Sequence, residues 1–134
     1  MKKLLAILLT LSMLFAMAAV TVTASAETEE TRTITDSMER SVEIPADVQR
    51  IVCVGVGALR YTCYVGGADR VVGVEDYETK PGMSRLYNYV NFDRFKDLPV
   101  TGTNGEPFVE EIINVEPQVI VMSSYAKQDP DELS

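Results

Sequence analysis

The sequence predicts an α/β domain: a short parallel β-sheet flanked by helices and preceded by a β-hairpin. Three observations carry this. The runs "IVCV" (Ile51–Val54), "RVVGV" (Arg70–Val74) and "QVIVMS" (Gln118–Ser123) read as strands, the last a continuous apolar run like those buried on both faces of a parallel sheet. Two segments between them, Ala58–Val65 and Pro107–Val115, space their apolar residues as helices do. Glycines close the first run at Gly55 and Gly57, where a strand must turn sharply into a helix. Strands alternating with helices imply βαβ units and hence parallel strands.

The elements follow in order. Lys2 and Lys3 precede an uncharged apolar stretch from Leu4 to Val20, and Ala24-Ser25-Ala26 follows it. A basic start, an apolar core and an A-x-A exit are the layout of a secretory signal peptide, so residues 1–26 are expected to be a leader and the protein to be exported, to a periplasm or an extracellular cell surface. Residues 27–31 are acidic and polar and are expected to be a flexible start, leaving 32–134 as the folded unit. "TRTITD" and "RSVEIP" alternate on either side of Ser37-Met38-Glu39 and predict the hairpin. Ile51–Val54 is the first sheet strand, Ala58–Val65 a helix stopped by Gly66-Gly67, and "RVVGV" the second strand. Glu75–Leu98 lacks clear periodicity and reads as a loop, with a turn at Pro81-Gly82. "LPVTG" is the third strand, and Pro107–Val115 a helix with Phe108, Ile112, Ile113 and Val115 on one side. "QVIVMS" is the fourth strand. Asp129-Pro130-Asp131-Glu132 has the cap, proline and acids of a helix start, which predicts a fragment or an early truncation.

Composition excludes several activities. The chain has no histidine, which removes Ser-His-Asp and Cys-His catalysis and every histidine metal site. Cys53 and Cys63 are the only cysteines, far from C-x-x-C spacing; export permits a disulfide between them, while their apolar surroundings favour two buried thiols acting as small hydrophobes. The leader takes two of the twelve basic residues, leaving ten against twenty acidic ones and a net charge of −10. A domain this acidic repels nucleic acid.

Four places are candidates for function. Gly55-Val56-Gly57 suggests a dinucleotide fingerprint, with Glu75 or Asp76 as its acid, but Arg60 stands where close packing wants a third glycine. What survives is a tight strand exit beside helix amides that can face an anion. The carboxyl ends of the four strands are the second place, because ligands of parallel α/β sheets bind there. They would gather Gly57 and Arg60, then Asp76 and Tyr77, then Thr103 and Asn104, then Ser123, Ser124 and Tyr125. The third is "SRLYNYVNF", where Arg85 could pair with acid groups and Tyr87, Tyr89 and Phe92 could stack on an organic ligand or plug the loop onto the sheet. The fourth is the acidic pair Glu110 and Glu111, which on residue chemistry alone reads as a solvated helix face.

Taken in order, "TITDSMERSVEIPADVQRIVCVG", "GALRYTCYVGGADRVVGVE" and "LPVTGTNGEPFVEEIINVEPQVIV" resemble the iron-siderophore, haem and vitamin B12 class of ABC-transporter substrate-binding proteins. The resemblance spans about residues 32–125 and rests on order and spacing more than on any single motif. It implies the N-terminal lobe of a two-lobed, helix-linked (class III) periplasmic binding protein, with the linker helix and second lobe outside this sequence. It implies no catalysis and no resident cofactor: a solute-binding component that takes a ferric siderophore, haem or cobalamin-like chelate and delivers it, as a monomer, to a membrane permease. Glu110 matches the carboxylate by which the N-terminal lobe docks on permease arginines. Gly57, Arg60, Asp76, Tyr77, Arg85, Tyr87, Thr103, Asn104, Ser124 and Tyr125 would line one wall of the cleft. Two positions depart from the family pattern. Glu39 stands where the hairpin usually carries glycine, which predicts an altered turn, and Gln118 replaces an aspartate before the fourth strand. A stand-alone exported interaction module, and an enzyme sharing the layout, are the alternatives.

Overall fold

The computed structural model describes residues 30–133. The expected leader, most of the acidic start and the terminal serine lie outside the described residues. Strand pairing begins at Thr31, one residue inside the segment expected to be flexible.

β1 (Thr31–Thr35) and β2 (Ser41–Pro45) form the expected antiparallel hairpin, with Thr31 opposite Pro45 and Thr35 opposite Ser41. Asp36 organises its turn. Oδ1 accepts from the amides of Met38 and Arg40, and Oδ2 from the Arg40 guanidinium, and these bonds hold the carboxyl below its ordinary range. Glu39 adopts φ 63°, the left-handed conformation that glycine takes without strain. Arg40 also reaches Asp131 at 2.5 Å, fastening the hairpin to the far end of the chain.

The main sheet has five strands in the order β6-β5-β4-β3-β7. Four are parallel: β3 (Ile51–Val54), β4 (Val71–Glu75), β5 (Val100–Thr103) and β7 (Val119–Met122). The fifth, β6 (Glu106–Pro107), pairs antiparallel with β5, Gly102 opposite Pro107 and Thr103 opposite Glu106. It was not expected from the apolar pattern. Its turn is Asn104-Gly105, with φ 48° and 81°, the geometry that an Asn-Gly pair favours in a two-residue hairpin.

Helices cover both faces. Alternation along β3 sends Val52 and Val54 to one side and Cys53 to the other. Val52 and Val54 pack with Ile112 and Val115 of the α3 region (helix Val109–Asn114). Cys53 packs with Val71 and Val74, with Ala58 and Leu59 of α1 (Ala58–Tyr64), and with Tyr87 and Phe95 of α2 (Leu86–Phe95). Both thiols are free. Burial pushes Cys53 up to about 12 and the half-buried Cys63 up to about 11.

Three expectations are corrected. The segment read as a loop contains α2. Its buried stripe includes the amide Asn88, while Leu86, Tyr89 and Val90 face solvent, so an apolar count along the sequence misses the helix. On α3 only Ile112 and, just beyond it, Val115 are buried; Ile113 is 65% exposed and Phe108 38%, so the four apolar residues do not share one buried side. β7 is an edge strand, half-buried throughout rather than covered on both faces.

The two ends of the sheet differ. At the amino end Gln118 Oε1 accepts from the amides of Gln49 and Arg50, and Arg50 donates to the Glu116 and Val115 carbonyls. These bonds align the starts of β3 and β7. The carboxyl end carries the turns and the opening.

Candidate functional site

An open depression of about 520 Å³ lies at the carboxyl end of the parallel strands. Val56 and Gly57 come from the turn after β3, Arg60 and Tyr64 from α1, Tyr77 from the 3₁₀ turn after β4, Ser84–Tyr87 from the approach to α2, and Asn104 from the β5–β6 turn. Gly57 has φ 92° at the start of α1, which lets the chain enter the helix abruptly and leaves the floor without a side chain.

Six of the residues expected at a ligand wall are therefore gathered: Gly57, Arg60, Tyr77, Arg85, Tyr87 and Asn104. The other four do not line the depression. Asp76 and Thr103 satisfy each other, Thr103 Oγ1 donating to Asp76 Oδ1 at 2.9 Å, with Lys80 a further 3.8 Å ion-pair partner of Asp76. Ser124 and Tyr125 are exposed on the segment after β7, which packs behind the β5–β6 turn. Val56, Tyr64, Ser84 and Leu86 were not anticipated. Tyr64 could have been, since it stands one helical turn from Arg60.

The two arginines differ in what they touch. Arg85 donates to Glu78 Oε2 at 2.7 Å and to the carbonyls of Tyr77 and Lys80 at 3.0 Å, and lies over the Tyr77 ring at 4.9 Å. Glu78 is 1% exposed. It also accepts from the Tyr87 hydroxyl at 2.6 Å and from Asn88 Nδ2 at 2.9 Å, while its carbonyl takes a second Asn88 bond at 2.7 Å. This network raises the tyrosines. Burial, then the Glu78 hydrogen bond and charge, push Tyr87 up to about 12; burial and the Glu78 charge also lift Tyr77 above its ordinary value. Arg60 has no acidic partner among the described residues, and its guanidinium lies 5.1 Å from the Tyr61 ring centroid. The wall thus offers one uncompensated cation, several phenol rings, a hydroxyl and an amide, beside the apolar Val56 and Leu86. This set suits an organic anion with planar groups.

Glu110 lies in the first turn of α3, exposed, and with Phe108, Val109 and Glu111 it lines a separate shallow hollow. Among the described residues no group of three or more His, Cys, Asp and Glu could hold a metal ion. No helix among them is long and apolar enough to cross a membrane.

No protein-family model matches the chain, and no curated protein matches it in sequence. Solved structures do. The chain is similar to the molybdate periplasmic binding protein MolA of a Haemophilus influenzae ABC transporter, with 25% identity and a TM-score of 0.59 over 76% of this chain and 30% of that one. It is similar to the haem-binding protein HmuT, with 20% identity and a TM-score of 0.54 over 84% of this chain and 34% of that one. A third is the petrobactin-binding protein YclQ of Bacillus subtilis, with 20% identity and a TM-score of 0.50 over 68% of this chain and 30% of that one. The fold is the α/β architecture of one part of a two-lobed periplasmic binding protein. The chain spans about a third of the length of the proteins it resembles.

Proposed function

We propose that the chain is the N-terminal lobe of an exported solute-binding protein of an ABC importer. It takes a ferric siderophore or a related metal chelate in the depression and passes it to the membrane permease. The observation that carries the reading is Arg60: an uncompensated guanidinium among tyrosines, at the strand ends where α/β proteins bind ligands. A chelate brings its metal already coordinated, which suits a wall lacking clustered metal ligands. Arg60 pairs with the chelate's anionic groups, Tyr64 and Tyr77 pack against its organic body, and Ser84 and Asn104 hydrogen-bond its rim. Arg85 and Tyr87 shape that wall while tied to Glu78. Asp76, Thr103, Ser124 and Tyr125 belong to the supporting loops. Binding and release involve no covalent step, so no catalytic residue is assigned.

Calorimetric titration of the exported protein with a ferric tris-catecholate, a ferric hydroxamate, haem, cobalamin and molybdate tests this. Saturable heat with one organic chelate, weakened about tenfold or more by Arg60→Ala, is the expected outcome. Binding of molybdate alone would replace the chelate with an oxyanion, and no binding at all would remove the ligand assignment. Docking through Glu110 is tested separately. Glu110→Lys should abolish co-purification with the permease and leave the titration unchanged; unchanged association would withdraw that role.

A further inference from the structure

The rim of the depression is held from behind by a side chain with no place in the ligand wall. Glu75 ends β4 and is 3% exposed. Its Oε1 accepts from the amide of Gly55 at 2.8 Å and from the amide of Gly105 at 3.0 Å. Gly55 begins the turn that presents Val56 and Gly57; Gly105 closes the turn that presents Asn104. One oxygen at the end of β4 therefore joins the exits of its two neighbours, β3 and β5. A single acceptor takes two amides best when it is anionic, because charge-assisted bonds are the stronger kind.

The surrounding backbone fits the same purpose. Both glycines are left-handed, with φ 89° and 81°. A Cβ on Gly55 would stand 2.9 Å from the Ala126 amide nitrogen, and one on Gly105 2.5 Å from the Tyr125 carbonyl oxygen. Lys127 donates its amide to the Gly105 carbonyl at 2.7 Å. The segment after β7 thus presses on both glycines, while Glu75 fastens them from the sheet. The second carboxylate oxygen, Oε2, is buried with no hydrogen-bond partner among the described residues, so the reach of Oε1 is what the fold uses.

We propose that Glu75 is a positioning residue for the ligand wall. Its carboxylate sets the separation of the Val56-Gly57 and Asn104 turns before ligand arrives, so that binding does not have to order them. The proposal rests on the reading of the depression as the ligand site, and its first test is independent of that reading. Glu75→Asp keeps the charge and loses the reach to both amides. Glu75→Gln keeps the reach and an acceptor oxygen but loses the charge, and its amide group replaces an oxygen without a partner. Amide hydrogen exchange at Gly55 and Gly105 separates the two. Exchange in Glu75→Asp should exceed that in Glu75→Gln by about tenfold at these amides, with α3 unaffected in both. Equal or reversed order, or a rise spread evenly over the molecule, overturns the latch. The second test is affinity for whichever of the five titrated compounds the wild-type protein binds. Glu75→Asp should weaken it about tenfold and Glu75→Gln less; equal affinity in wild type and Glu75→Asp overturns the positioning role. If the wild type binds none, the ligand reading fails, and the exchange pattern still decides the latch.

Discussion

Arg60 and Arg85 border the same depression, and the protein treats them in opposite ways. Arg85 is fastened to a buried carboxylate and two carbonyls. Arg60 touches one aromatic ring and is exposed. An arginine at a site is informative only once its acceptors are known, because a compensated guanidinium shapes a wall while an uncompensated one presents charge to it. The difference originates at Glu78, whose burial is worthwhile only while its donors remain.

Glu78→Ala should break this contrast most severely. It removes the carboxylate that Arg85, Tyr87 and Asn88 share, leaving Arg85 only the Tyr77 and Lys80 carbonyls and Asn88 only the residue-78 carbonyl, and a loss of about 3–5 kcal/mol is expected from urea unfolding, seen as a lower midpoint at unchanged slope. Next is Gly55→Ala. The residue holds φ 89°, and the added methyl would press on Ser123 and Ala126, so a loss of about 2 kcal/mol is expected in the same assay.

A smaller effect is expected in alkali. Tyr87 has its folded pKa raised to about 12 from 10, and Tyr77 is raised as well. A raised acid pKa favours the protonated form in the fold. The stability it contributes is present below pH 10 and is lost as pH rises toward 12. Tyrosinate absorbance should show two of the six tyrosines ionising late, together with unfolding; normal titration of all six would contradict the network. The smallest effect on stability belongs to Arg60→Ala, within about 0.5 kcal/mol of wild type in thermal melts. A larger loss would mean that Arg60 braces the fold, and would erase the contrast with Arg85.

Legibility in the sequence followed burial chemistry. The parallel strands and α1 could be read because their apolar side chains also fill the core, and the hairpin by its alternation alone, since all of β1 is exposed and only Ile44 of β2 is buried. α2 could not, because Asn88 and Tyr87 occupy its buried stripe to serve Glu78 and three large apolar residues of the same helix face solvent. β6 carried a readable signal in Asn104-Gly105, an established hairpin pair, which the apolar pattern alone overlooks. The strand-end rule named Gly57, Arg60, Tyr77 and Asn104, which line the depression. It did not distinguish them from Asp76 and Thr103, which bond to each other.

By itself the sequence determined the α/β class, the order of the hairpin, the four parallel strands, α1 and α3 along the chain, the acidic charge and the poverty of histidine and cysteine chemistry. These follow from local periodicity and composition. Only the tertiary structure decided which arginine is compensated, which acids are buried, and that Glu75 bonds the exits of β3 and β5. Read along the chain, Glu78 looks like an ordinary loop acid and Glu75 stands out only as a candidate acid of a dinucleotide fingerprint. Their roles arise from donors brought together by folding: Gly55 and Gly105 for one, Arg85, Tyr87 and Asn88 for the other.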